Sequence, residues 1–115
     1  MDKKPFAIAA IPAFNEEKTI AKVVLLAQNY VDRVVVCDDG STDMTAKIAE
    51  KLGASVVRHP KNMGKGAALK TTLEYLKQLN PDVVVTLDGD GQHDPSDIPR
   101  LLEPIIEGKA DLVIG

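Results

Sequence analysis

Between residues 86 and 95 the chain reads TLDGDGQHDP, where an apolar run breaks into a dense group of oxygen donors. Asp88, Asp90 and Gln92 alternate with glycine, and in an extended segment side chains two apart project to the same side. The pattern offers an oxygen-rich face suited to a hard divalent cation, Mg²⁺ or Mn²⁺. Two carboxylates about 6 Å apart repel by roughly 0.7 kcal/mol in water and about 3 kcal/mol at an effective dielectric of 20. A cation seated on the cluster removes that repulsion. A solvated turn would also use Asp and Gly, but it does not call for three oxygen ligands in alternation. An EF-hand starts similarly yet needs Gly at its sixth place and Glu at its twelfth, where this chain has His93 and Pro99. A phosphatase-type Asp-x-Asp with Asp88 as nucleophile is a weaker fit, because that motif follows a first strand and this one follows the fourth apolar run.

Three further polar motifs carry candidate ligand residues. PAFNEE contributes Pro12, Ala13, Phe14 and Glu16; Phe14 is one of two phenylalanines and lies outside the core runs, free to pack against a base. Its structural alternative is a helix start, with Asn15 as N-cap and the acids favoured by the helix dipole. In VVVCDDGSTD, Asp38 and Asp39 could accept hydrogen bonds from a nucleotide base or from ribose hydroxyls, as an acid after the second strand does in dinucleotide-binding folds. Either could instead cap the next helix. In HPKNMGKG, Gly64, Lys65 and Gly66 open a helix whose backbone N–H groups and lysine could meet a phosphate, although the spacing is neither a Walker loop nor a dinucleotide fingerprint. His59 and His93 have no partners at metal or triad spacing; His59 reads as a loop residue, and His93, beside the acidic cluster, as a residue supporting the metal ligands or lying on the surface. No G-x-S-x-G elbow is present.

These motifs need elements to hold them. Five short apolar runs, 6–11, 33–38, 55–59, 82–88 and 111–115, suit strands buried on both faces, as in parallel sheets. Helical patterns fall between them at 16–30, 43–52, 66–79 and 97–107, with Ser41 or Thr42 as the expected N-cap of the second and Gly53 as its stop. In the first, Ile20, Val23, Val24 and Ala27 make one apolar stripe. Strict alternation of strand and helix predicts right-handed crossovers and a doubly wound α/β sheet. All four motifs then lie at the carboxyl ends of strands, where open α/β sheets bind ligands. A 3-2-1-4 order would set the first and fourth motifs across the switch point. The final strand runs to Gly115 with no helix after it, so the chain is expected to be the front part of a longer protein, here a single domain over 1–115.

Composition sets limits. With 115 residues, 44% hydrophobic and 27% charged, the chain suits one globular domain. Aromatics are only 3% and tryptophan is absent, and the net charge is -3, which disfavours a nucleic-acid partner. Cys37 is the single cysteine, so no intrachain disulfide can form, and a cytoplasmic setting is expected. The N-terminus suits neither a signal peptide nor a membrane span.

Taken in order, PAFNEE, VVVCDDGSTD, NMGKGAAL, DGDGQHDP and DLVIG resemble the nucleotide-sugar-binding half of inverting family 2 glycosyltransferases. The similarity is greatest to the dolichyl-phosphate mannosyltransferase and polyprenyl-phosphate hexose synthase branch. It covers nearly the whole chain, and four motifs in the correct order make it specific. The resemblance implies a Rossmann-like GT-A fold, a UDP- or GDP-hexose donor, and a divalent cation, Mg²⁺ or Mn²⁺. It makes Asp90 and Gln92 metal ligands, with Asp88 near the ribose, sugar or metal, and sets Pro12, Phe14, Glu16 and Asp38 around the nucleoside. Ala13, Asp39 and Lys65 complete the candidate donor site. A polyprenyl phosphate is the implied acceptor class, with the full-length protein at the cytoplasmic face of the membrane. The general base is expected beyond Gly115, so these residues alone would bind nucleotide and metal and turn over slowly or not at all. A non-catalytic nucleotide- or metal-binding module is the alternative reading.

Overall fold

The computed structural model describes residues 5–87 and the strand 112–114. Strands β1 (Ala7–Ala13), β2 (Arg33–Asp38), β3 (Ser55–Arg58), β4 (Val83–Thr86) and β5 (Leu112–Ile114) alternate with helices α1 (Ile20–Gln28), α2 (Thr45–Lys51) and α3 (Lys65–Leu79). The sheet order is β3-β2-β1-β4-β5 and every pairing is parallel. All carboxyl ends therefore share one edge, as the continuous apolar runs predict. The predicted helix at 97–107 lies outside the described residues.

The pleat divides the central strand between two cores. Ala7, Ala9, Ile11 and Ala13 face α1 and α2 with Val34, Val36, Val83 and Val85, while Ile8 and Ala10 face α3 with Val35, Val84 and Leu76. Period-two alternation thus covers both faces with helices. Ile8, Ile11, Ile20, Val35 and Val85 are fully buried, each burial being worth about 1.5–3 kcal/mol. Register is set at the opposite edge, where the Asp32 and Asp82 carboxylates accept the N–H groups of Ala7 and Phe6.

Three helix starts differ from expectation. α1 begins at Ile20 rather than residue 16, so Glu16 and Glu17 are not in its first turn. The N–H groups of Asn15, Glu16 and Glu17 are drawn to side chains of the next loop, Ser41, Thr45 and Asp43, which holds that stretch out of the helix. Asn15 is not an N-cap; it sits at φ 50° and its side chain accepts the Thr42 N–H. α2 starts at Thr45 after Met44, not after Ser41 or Thr42, because Asp43 accepts the Thr45 N–H at 2.9 Å. α3 starts at Lys65, one residue earlier than predicted, and closes on Asn80 in the left-handed region.

Candidate functional site

Pro12 marks the place where the sheet opens. Even-numbered residues of β1 turn their backbone groups toward β4, and that ladder ends with the Leu87 N–H donating to the Ala10 carbonyl at 3.0 Å. At the next even position proline has no N–H to offer, so nothing is lost by ending the pairing there. On its other side β1 stays paired with β2 as far as Ala13 opposite Asp38. The pairing thus ends between β1 and β4 at the carboxyl edge, at the point where the strand order reverses, which is where open α/β sheets bind ligands.

The loops after β1 and β2 are joined across this edge. The Ser41 hydroxyl accepts the Asn15 N–H at 2.8 Å, Thr45 Oγ1 accepts the Glu16 N–H at 2.8 Å, and Asn15 Oδ1 accepts the Thr42 N–H at 2.9 Å. The Met44 N–H returns a bond to the Glu17 carboxylate, and the Asp39 N–H donates to the Ala13 carbonyl. Burial pushes the Asp43 carboxyl up, but hydrogen bonds from Thr45 and the Glu17 N–H outweigh it and hold the group below the usual range. Ser41, Asp43 and Thr45 were not singled out from the sequence as site residues; their role depends on partners 26 to 29 positions away. Phe14 stands out of this rim, 41% exposed.

Asp38 ends β2 fully buried. Its Oδ1 accepts the Ser41 N–H at 3.2 Å, while Oδ2 has no hydrogen-bond partner among the described residues. Arg58 Nε approaches Oδ2 to 3.2 Å from β3, with the arginine side chain 57% exposed and its Nη2 donating to the Ser41 carbonyl. The cover of this buried carboxyl oxygen is thus a guanidinium that faces solvent.

Asp39 differs from its neighbour, since protein groups occupy both its oxygens. Oδ1 accepts from His59 Nδ1 at 2.8 Å and from the Met63 N–H at 2.9 Å, and Oδ2 accepts the Gly64 N–H at 3.0 Å. Burial raises the Asp39 carboxyl, but these hydrogen bonds together win and hold it below the usual carboxylate range. His59 lies in the loop just past β3, as expected, but it is buried rather than solvated, 6% exposed, with Nε2 2.9 Å from Thr71 Oγ1. Linear spacing hides this pair, and the register reveals it. Asp38 lies opposite Arg58, so Asp39 and His59 follow side by side. The loop 60–64 folds over Gly40, where φ is 79° and an added Cβ would lie 2.2 Å from the Lys61 carbonyl carbon. Lys65 opens α3 at the same edge, exposed.

Leu87 brings the chain to this edge beside β1. Asp88, Asp90 and Gln92, the candidate metal ligands, lie outside the described residues. Among the described residues no group of three or more His, Cys, Asp or Glu could hold a metal.

The profile of Glycosyl transferase family 2 matches residues 8–115. The chain belongs to glycosyl transferase family 2. The chain is similar to the UDP-N-acetylglucosamine–dolichyl-phosphate N-acetylglucosaminyltransferase of Methanococcus voltae, 37% identical over 123 residues, covering 91% of this chain and 49% of that protein. An uncharacterised protein of Methanocaldococcus jannaschii is 45% identical over 116 residues, 94% of this chain and 50% of that one. Among solved structures, glucosyl-3-phosphoglycerate synthase of Mycobacterium tuberculosis in complex with Mn²⁺ and UDP-glucose superposes with a TM-score of 0.73 at 34% identity, over 91% of this chain and 40% of that one. The fold is accordingly the α/β, Rossmann-like GT-A arrangement of family-2 transferases. The chain spans about half the length of the curated relatives it matches.

Proposed function

We propose that this chain is the donor-binding part of a metal-dependent inverting glycosyltransferase that moves a hexose from a UDP- or GDP-sugar to an acceptor of the polyprenyl-phosphate class. The observation that carries the nucleotide part is the buried Asp38 carboxylate at the carboxyl end of β2, whose Oδ2 has no hydrogen-bond partner among the described residues and is covered by the mostly exposed Arg58 guanidinium. Uracil and guanine each present a ring N–H beside a carbonyl, and that N–H can donate to Asp38. Adenine and cytosine present a bare ring nitrogen there, which a carboxylate repels. Arg58, mostly in solvent, swings aside or turns its free donors to the neighbouring base carbonyl. Phe14 packs on the base, and Pro12, Ala13 and Glu16 form the wall of the crevice. Asp39 holds a loop instead of touching the ligand.

Asp88, Asp90 and Gln92 offer oxygen donors only, a set chemically suited to Mg²⁺ or Mn²⁺. When bound, such an ion acts as a Lewis acid on the leaving diphosphate. The chain's own part is to fix the donor: Asp38 orients the base, the interlocked loops keep the crevice in shape, and the start of α3 with Lys65 faces the phosphates. The acceptor class follows from the dolichyl-phosphate named for the Methanococcus relative. A cytoplasmic location, with the full-length protein at the cytoplasmic face of the membrane, belongs to the same proposal. No described helix is long and apolar enough to cross a membrane.

A thermal-shift panel of nucleotides and sugar nucleotides with Mn²⁺, Mg²⁺ or EDTA tests the reading. Ligand at 100 times its dissociation constant stabilises by about 2.7 kcal/mol, roughly 10 °C for a domain of this size. UDP or GDP species should shift the midpoint and adenine or cytosine nucleotides should not. Asp90→Asn should remove the metal-dependent increment and leave the ligand-free protein no less stable. No shift with any uracil or guanine nucleotide in Mn²⁺, on folded protein, sinks the donor-site reading.

A further inference from the structure

The chain Asp39–His59–Thr71, with its first two members buried and Thr71 half-buried, has the heavy-atom spacing of an acid–base–nucleophile triad, 2.8 Å and 2.9 Å. Its surroundings argue for a different use. His59 is 6% exposed and both ring nitrogens are already engaged, so a substrate has no route to either. Thr71 sits within α3, its hydroxyl committed to His59. With Asp39 ionised, the ring donates from Nδ1, and in the neutral tautomer Nε2 accepts the threonine hydroxyl. What the constellation does reach is the backbone of the next loop, through the Met63 and Gly64 N–H groups on Asp39. Those two residues lead straight into Lys65 and the first turn of α3.

The open side of that turn is distinctive. Gly66 lies within α3 with no described atom within 4 Å of an added Cβ, so neither packing nor a left-handed backbone calls for glycine there. A glycine inside a helix costs about 1 kcal/mol relative to alanine. Leaving the position bare keeps room for something outside the described chain to approach the backbone closely.

We infer that His59 is a positioning residue: through Asp39 it fixes the Asn62–Lys65 turn, so that the start of α3 meets the diphosphate of the donor. The inference rests on the nucleotide-binding reading above and adds a division of labour to it. Asp38 reads the nucleoside, and Asp39 with His59 sets the groups that read the phosphates. A side chain that acts only on the phosphate side should change the affinity for a nucleoside diphosphate and spare the affinity for the nucleoside alone. A side chain that merely supports the fold should change both together.

The test is titration calorimetry of the full chain with uridine against UDP and guanosine against GDP, with Mn²⁺, for wild type and four variants. Wild type should prefer the diphosphate of one pair. His59→Leu should weaken that diphosphate about tenfold or more and move the nucleoside less than about twofold. His59→Asn keeps an amide N–H at the Nδ1 place and should recover most of the loss; His59→Gln sets its amide toward Thr71 and should not. Thr71→Val should give a smaller loss of the same kind. If His59→Leu does not fold, the Asn and Gln pair decides the question, because both side chains are polar and of similar size. Equal weakening of nucleoside and diphosphate, an unchanged diphosphate affinity, or Asn no better than Gln overturns the inference. Failure of wild type to bind any of the four probes is a separate outcome, which overturns the nucleotide reading itself and this inference with it.

Discussion

Gly40→Ala should be among the most damaging single-atom additions this chain can take. The residue sits at φ 79°, where an alanine costs about 1–2 kcal/mol in backbone strain. The new methyl would also fall 2.2 Å from the Lys61 carbonyl carbon, 2.4 Å from the Asn62 nitrogen and 2.6 Å from the Lys61 Cα. These are backbone atoms, so the loop must withdraw by more than 1 Å to reach ordinary contact at about 3.5 Å. Withdrawal pulls the Met63 and Gly64 N–H groups off the Asp39 carboxylate. Bonds to a charged acceptor are worth about 1.5–3 kcal/mol each, and partial loss of two adds about 2–4 kcal/mol. The total is about 3–6 kcal/mol, a large part of the roughly 5–15 kcal/mol that holds a domain together. Gly64→Ala is the control: φ is 97°, yet nothing lies within 4 Å, so strain alone applies, about 1–2 kcal/mol. Urea unfolding followed by far-ultraviolet circular dichroism should separate the two variants by about 2–4 kcal/mol. Amide exchange should speed up at Met63 and Gly64 in Gly40→Ala only. Two variants within 0.5 kcal/mol of each other would refute the claim that this turn is clamped by the loop above it.

Other expectations concern the same edge. Asp39 and Asp43 have lowered carboxyl pKa values in the folded state, so their stabilisation is complete above the unfolded value of about 3.9 and is lost as pH falls through the lowered folded values. Acid unfolding monitored by dichroism should therefore begin below about pH 4, and Asp39→Asn should flatten that limb. Gly66→Ala should stabilise the free protein by about 0.5–1 kcal/mol in urea while weakening UDP or GDP binding, a trade that an inert surface position would not show. Burial pushes the Cys37 thiol up; a disulfide reagent at pH 8 should label it only at the rate of unfolding, and fast labelling of native protein would contradict its burial.

The sheet was legible in the sequence because strands covered on both faces are unbroken apolar runs, and RVVVCD and DVVVTLD leave little choice of element. Strand order could be argued from where the polar motifs would have to meet. The helix starts were less accessible. Asn15 and Ser41 carry cap-like side chains, but they spend them across loops, on partners 26 or 27 positions away, while Asp43 serves both its own helix start and the Glu17 N–H, which a local reading does not foresee. Likewise nothing in the spacing of Asp39 and His59, 20 apart, marks them as a pair until β2 and β3 are in register. In PAFNEE and DDGSTD the residues that look chemical divide into two groups. Asp38 has an oxygen without a hydrogen-bond partner among the described residues and Phe14 an exposed ring; Asn15, Ser41, Asp39 and Asp43 hold the loops that carry them.

The order of the strands has a bearing on how the chain is made. β1 leaves the ribosome before the other four described strands, and β2 and β3 can join one of its sides as they follow. Its other side belongs to β4, which begins about 45 residues after β2 ends, so at about 5–20 residues per second the gap lasts roughly 2–9 s. Throughout that interval the middle of the future sheet is an apolar, hydrogen-bond-hungry border facing the cell. Slowing translation between codons 39 and 82 should lengthen that exposure and raise the share of newly made protein that aggregates, with no change in the stability of the molecules that finish folding.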